Sequence, residues 1–121
     1  MVRLYCLVIG LMLLFTGSAR AEVVFFDALS DVPVAKGLQV LPEQDLVFSK
    51  PEGRIVEVVS AIEPSTNEAI IRDFYQQTLP AFGWNVLASG DYSRGDELLK
   101  FWFERNDGQV FLHLRVEPAD Q

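Results

Sequence analysis

The chain has 121 residues, with 17 acidic and 10 basic side chains, a formal net charge of −7 and one cysteine. This length allows one small domain. The acidic balance argues against nucleic acid as a partner, because phosphates select for clustered Lys and Arg, and anionic lipid surfaces would repel the chain.

The N-terminal segment has the three-part pattern of a secretory signal peptide. A short basic region, 1–3, precedes an apolar run, 4–15, and a small-residue region that ends in an A-x-A site at 19–21. Cleavage is predicted between Ala21 and Glu22. The apolar run falls short of the roughly 20 residues that span a bilayer. We therefore expect a cleaved leader with no stable membrane span afterwards, rather than an uncleaved inner-membrane anchor.

Cleavage changes both the charge and the chemistry of the chain. Arg3, Arg20 and Cys6 lie before the site, so the mature chain keeps 8 basic and 17 acidic side chains and a net charge of −9. Without cysteine it has no disulfide, no thiolate nucleophile and no cysteine metal site. Its stability must come from the apolar core alone.

The mature chain divides into an arm, a domain and a short tail. Residues 22–44 lack a sustained hydrophobic period and are interpreted as an extended N-terminal arm, followed by an α+β domain at 45–117 and a tail at 118–121. The arm is predicted to cover the sheet edge or core, with a docking segment for a partner as the alternative. Its inward apolar residues are predicted to be Val23, Phe25, Val34, Leu38 and Val40.

Two strand-like runs, 45–49 and 54–62, flank a turn sequence at 50–53 and predict a β-hairpin. The second run is apolar on both faces, which is typical of a central strand. After the helix, further strand-like runs cover 84–87, extended through 92–94 after a break at 89–90, then 98–104 and 109–117 across the turn 105–108.

The stretch from Ser65 to Trp84 predicts one amphipathic helix. Ser65 and Glu68 have the spacing of a capping box, and Gly83 suits a left-handed C-terminal turn. Pro80 removes a backbone donor near the end, which predicts a kink or a distorted last turn, with a functional hinge as the alternative. The apolar stripe of the helix consists of Ile71, Phe74, Tyr75, Thr78, Leu79 and Phe82.

The resulting order β-β-α-β-β-β predicts an α+β two-layer sandwich, with one amphipathic helix packed on a mainly antiparallel sheet. The face opposite the helix carries Trp102, Phe111 and His113, the candidate interaction patch. Three interpretations are open for these side chains: they cover one another or lie beneath the arm, they form a partner surface, or they form a small-ligand site.

The sequence contains no recognisable catalytic constellation. His113 is the sole histidine. No nucleophile or second acid–base group lies at a sequence spacing from it that is typical of a catalytic motif. The acidic stretch 91–97 lacks the ligand order of a calcium loop and is interpreted as a solvated hairpin tip. We predict no catalytic residue, no metal site and no cofactor; an enzyme that uses His113 is the alternative.

Three pieces of sequence form a recognisable pattern across roughly 31–117. They are Asp31 to Val34 with Gly37-Leu38, the Lys-Pro-x-Gly-Arg-Ile-Val piece at 50–56, and the Phe-Tyr…Leu-Pro…Gly-Trp piece at 74–84. This pattern resembles a family of small exported alphaproteobacterial proteins of unknown function. The resemblance implies a Gram-negative envelope and hence the periplasm, and it supplies no binding or catalytic residues.

Together these features predict a non-enzymatic periplasmic module that binds an envelope protein partner or contributes to an envelope assembly. The alternative is a small-ligand carrier or sensor with a pocket between the sheet and the N-terminal arm.

Overall fold

A computed structural model describes residues 23–119, and the predicted leader with its cleavage site at Ala21 and Glu22 lies outside the described residues. In this part of the chain one α-helix packs on one face of a seven-stranded sheet. Every strand pair is antiparallel. The predicted α+β sandwich is therefore confirmed. Between residues 23 and 119 no helix is long and apolar enough to span a membrane.

The sheet has the order β1-β3-β7-β6-β5-β4, with β2 also paired to β3. Strand β1 pairs with the end of β3 and β2 with its beginning, so together they form one interrupted edge strand. The strands are β1 (Leu38–Val40), β2 (Leu46–Lys50), β3 (Gly53–Ile62), β4 (Asn85–Val86), β5 (Tyr92–Arg94), β6 (Glu97–Asn106) and β7 (Gln109–Pro118). The helix α1 spans Glu68–Thr78, and 3-10 turns span Pro42–Gln44 and Leu79–Phe82.

The core lies between the helix and the inner sheet face. Strands β6 and β7 pair so that Leu99 lies opposite Val116 and Phe101 opposite Leu114, and the alternation of β7 sends Leu112, Leu114 and Val116 inward. Other buried residues of this core are Val56, Val58, Ile62, Ile71, Tyr75, Leu79 and Trp84.

The helix begins two residues later than the capping-box pattern predicts. Asn67 is the N-cap, and its side-chain oxygen accepts a hydrogen bond from the Ile70 amide at 3.1 Å. The predicted cap at Ser65 is wrong, because a backbone turn closes across it: the Thr66 amide donates to the Glu63 carbonyl at 3.1 Å. Asn is as good an N-cap as Ser, so the sequence contains two suitable N-cap residues for this helix.

The predicted distortion at Pro80 is confirmed. The α-helix ends at Thr78 and continues as the 3-10 turn that contains Pro80. Gly83 then adopts a left-handed conformation with φ of 87°, and its amide donates to the Pro80 carbonyl at 3.1 Å. This turn delivers the next residue, Trp84, into the core.

The run from 84 to 94 is two strands rather than one interrupted strand. The Gly90 amide donates to the Leu87 carbonyl at 2.9 Å, and the Leu87 amide donates to the Asp91 carbonyl at 2.7 Å. The chain therefore reverses, and β4 pairs antiparallel with β5. Gly90, with φ of 90°, supplies the left-handed residue that this turn needs.

Of the arm residues predicted to point inward, Val34, Leu38 and Val40 are partly buried and pack against the core, but the fully buried arm residues are others. Backbone hydrogen bonds from Phe26 to Val32 and from Val34 to Val24, of 3.2 and 2.7 Å, close residues 24–34 into a loop. Its inward side chains complete the core on the helix side of the sheet, whereas Val23 is exposed. The fully buried arm residues are Phe26, Leu29, Val32, Pro33 and Ala35. The prediction of an extended arm is wrong here because the loop reverses the chain.

Candidate functional site

The sheet brings the predicted patch residues together on the outer face. The register of β6 and β7 places Trp102 directly opposite His113, and Phe111 follows on the same face of β7. The indole and imidazole rings stack with centroids 5.1 Å apart and planes within 7°. Trp102 keeps 38% of its surface exposed, while the side chain of His113 keeps 15%. The stack therefore presents one accessible aromatic ring on a largely covered imidazole.

Two carboxylates flank His113. Its Nε2 lies 2.9 Å from Oε2 of Glu104 on β6, and its Nδ1 lies 4.0 Å from Oε2 of Glu57 on β3. Within residues 23–119, Nδ1 has no hydrogen-bond partner. A neutral imidazole donates from one nitrogen, so it serves one carboxylate at a time. The arrangement orients the imidazole ring under Trp102 and places two carboxylates beside it.

The end of the arm reaches the rim of this patch. Gln44, in the first 3-10 turn, lines a shallow depression of about 220 Å³ together with Glu104, Asn106, Phe111 and His113. The buried arm residues lie in the core on the opposite face of the sheet. The loop at 24–34 thus leaves Trp102 open, and the arm contributes a polar rim through Gln44.

The outer face continues as an apolar groove toward the sheet edge. Leu46 and Phe48 of β2 are 47% and 56% exposed. With Ile55, Glu57 and Arg115 they line a groove of about 280 Å³. The sequence predicted these residues as a strand but not as part of a surface, because nothing in their order shows that β2 lies at an edge.

A cluster of four charged side chains ties the arm loop to one end of the sheet. The Arg54 guanidinium lies 2.8 Å from Glu97 and 3.1 Å from Asp31. Arg94 also binds Asp31, and it lies 3.2 Å from Glu97. The interpretation of 91–97 as a solvated hairpin tip is therefore wrong for Arg94 and Glu97, because both are held in this partly buried network.

The cluster shifts the pKa of its carboxyl groups. Burial raises the pKa of Asp31, but the hydrogen bond from Arg94 and the charges of Arg54 and Arg94 outweigh it and leave the pKa below its usual value. The hydrogen bond from Arg54 is the main cause that lowers the pKa of Glu97. Both groups therefore favour the folded state most strongly when they are ionised.

Asp31→Asn should lower the free energy of unfolding at neutral pH, and it should make that free energy less dependent on pH in the acidic range. A lowered folded-state pKa contributes stability above the unfolded pKa, and this contribution disappears as pH falls below about 5. Because Asp31 is partly exposed, we expect a loss of about 1 kcal/mol at pH 7 that shrinks as pH falls below about 5. Urea unfolding from pH 7 to 3 measures the difference in unfolding free energy between wild type and Asp31→Asn. Asp73→Asn, on the exposed helix face, is the control. Parallel pH curves for wild type and Asp31→Asn would contradict the assignment.

The described residues hold no group of three or more His, Cys, Asp or Glu side chains arranged for a metal ion. Comparison of the chain with protein-family models, curated proteins and solved structures finds no match. The fold thus defines a small α+β sandwich with one covered and one open sheet face, and the family resemblance stays a prediction.

Proposed function

We propose that this protein is an exported, non-enzymatic interaction or structural module of the cell envelope, located in the periplasm, and that the outer sheet face binds a protein partner. The observation that supports this function is the exposed Trp102 stacked on His113 in the face that the helix leaves open. Export and the periplasm rest on the leader pattern at 1–21 and on the family resemblance.

The outer face has the composition of a recognition surface. Trp is enriched among residues that dominate binding energy, because a rigid ring buries a large area at low entropic cost. The stack on His113 fixes the ring before a partner arrives, which lowers that cost further. Around it, Lys100 and Arg115 bind Glu117 at 2.7 and 3.1 Å and form a polar rim.

Trp102→Ala should reduce partner capture about tenfold or more, as loss of a central aromatic anchor does. The tagged full chain is crosslinked in cells, purified from the periplasmic fraction, and its partners are quantified by mass spectrometry. Trp102 is exposed, so the fold should persist, and circular dichroism checks it. Ile70→Ala, which removes an exposed side chain from the helix, is the matched control.

Two outcomes of the capture experiment would contradict the proposed function. If Trp102→Ala and Ile70→Ala retain the same partners in equal amounts, the outer face is not the binding surface. If the chain is absent from the periplasmic fraction, the export part of the proposal is wrong.

A second candidate function, a small-ligand carrier, is favoured by a groove at the arm. This groove, of about 520 Å³, is lined by Val23, Val24, Phe74, Val40 and the arm segment 34–38. Its volume lies within the usual size range of ligand sites, roughly 300–1,000 Å³. The same purified material distinguishes the two functions, because a carrier yields a co-purifying apolar small molecule whose amount does not depend on Trp102.

A further inference from the structure

Strand β2 has a free edge. Within residues 23–119 it pairs with β3 alone, through a register that runs from Leu46 opposite Glu57 to Lys50 opposite Gly53. All five of its residues are exposed, including Val47 at 61%. Unpaired strand edges are templates for another strand, and proteins that keep them usually protect or use them. Among the described residues no other strand pairs with this edge.

The turn between β2 and β3 determines which residues of β2 direct their backbone groups toward β3 and which direct them toward the free edge. Pro51 and Glu52 form a two-residue connection between Lys50 and Gly53, and the pair that flanks such a connection is a hydrogen-bonded pair. Alternation along the antiparallel ladder then directs the backbone groups of Leu46 and Phe48 toward β3. The amide and carbonyl groups of Val47 and Ser49 point to the free edge.

This edge is complementary to itself. In an antiparallel pair centred on Phe48, Val47 of one copy faces Ser49 of the other, and each of these residues presents the free amide and carbonyl that the other needs. Phe48 then faces Phe48 of the second copy in a non-hydrogen-bonded pair, where cross-strand side chains approach most closely. The two apolar grooves beside Leu46 and Phe48 meet across the junction on one face.

Charge favours the antiparallel arrangement. Burial, and the negative charges of Asp27 and Glu43, raise the pKa of Asp45 just before β2, so acidic groups crowd that end of the strand. Lys50 lies at the opposite end and makes no ion pair with another described residue. Antiparallel pairing sets each Lys50 beside the acidic end of the other copy, whereas parallel pairing would bring the acids together.

We propose that β2 is a self-association edge, through which two copies of this chain pair antiparallel about Phe48 into a two-fold dimer with one continuous sheet. The interface is isologous, because the same strand serves both copies. A strand of this length buries less than the roughly 1,200 Å² of a standard interface. We therefore expect a dissociation constant on the order of 10–100 μM, which corresponds to a modest, reversible interface. The proposal is independent of the Trp102 surface and of export.

Sedimentation equilibrium of the full chain, with its own N-terminal segment, tests the dimer. Val47→Glu places a charge at the centre of the free edge and should raise the dissociation constant at least tenfold. Val86→Glu is the matched control, because Val86 is equally exposed, at 61%, on β4 at the opposite edge of the sheet. Thermal unfolding confirms that both variants are folded.

A disulfide experiment tests the register. In a Cys6→Ser background, Phe48→Cys places two cysteines opposite each other at a Cα separation of about 4.5 Å, within the range that a disulfide bridges. Mild oxidation should convert most Phe48→Cys chains to a covalent dimer, while Val86→Cys should stay monomeric.

Three results would overturn the proposal: a wild-type chain that is monomeric at several hundred micromolar, a dimer that Val47→Glu leaves unchanged, or equal weakening by Val47→Glu and Val86→Glu. A monomeric wild type that binds an extended peptide along β2 would assign the edge to a different protein.

Discussion

Trp84→Ala should lower the free energy of unfolding by roughly 3–5 kcal/mol, the range for removal of a fully buried large aromatic side chain. Trp84 has no exposed surface and is among the largest buried side chains of the core. It follows Gly83, whose left-handed turn directs it inward. The Arg94 guanidinium lies 4.3 Å from the ring centroid, so the variant loses a cation–π contact together with the packing.

The measurement is urea unfolding followed by circular dichroism. Trp84→Phe keeps most of the ring volume and should cost clearly less than Trp84→Ala. The indole nitrogen of Trp84 has no hydrogen-bond partner among residues 23–119, so replacement of Trp84 by Phe breaks no hydrogen bond. Val86→Ala, on an exposed position two residues later, should change stability by less than about 0.5 kcal/mol. A loss below 1 kcal/mol in Trp84→Ala would contradict the central position of this side chain.

Periodicity explains why most of the sheet and the helix could be predicted from sequence. Strand β7 alternates apolar and polar residues from Leu112 to Glu117, so residues such as Leu114 and His113 could be assigned to opposite faces without any tertiary information. The turns at 50–53 and 105–108 then determined which strands are neighbours. The same alternation placed Trp102 and His113 on one face, and the cross-strand register brought them into contact.

The arm and the edges could not be predicted in the same way. Residues 24–34 form a loop through backbone hydrogen bonds between Phe26 and Val32 and between Val34 and Val24, and the side chains at these positions do not specify that pairing. The edge position of β2 depends on where β1, β3 and β7 lie. Its exposed Phe48 therefore looked like any apolar strand residue.

Long-range charge pairing was missed for a related reason. Asp31, Arg54, Arg94 and Glu97 come from the arm loop and the ends of three strands, and 43 residues separate Arg54 from Glu97. Charged residues near turns are ordinarily solvated, so single positions gave no signal. Only the sheet register, which places the start of β3 and the start of β6 at the same end, brings them within bonding distance.

Tyr75→Phe should destabilise the protein by about 1–3 kcal/mol, because it removes a buried hydroxyl that serves two backbone groups. The hydroxyl donates to the Pro33 carbonyl at 2.9 Å and accepts from the Ala35 amide at 3.4 Å. These bonds connect the helix to the arm loop. The variant leaves a carbonyl and an amide without their partner in a closed core. Tyr92→Phe is the control, since the Tyr92 hydroxyl makes no hydrogen bond with the described residues.

Alkaline pH gives this prediction a second, independent readout. Burial raises the pKa of the Tyr75 phenol well above its usual value, and the bond from Ala35 only partly opposes it. An acidic group with a raised folded-state pKa contributes stability below its unfolded pKa and loses that contribution as pH rises above about 10. The difference in unfolding free energy between wild type and Tyr75→Phe should therefore shrink from pH 8 to pH 11. A difference that stays constant over this interval would show that the Tyr75 phenol is not buried between the helix and the arm loop.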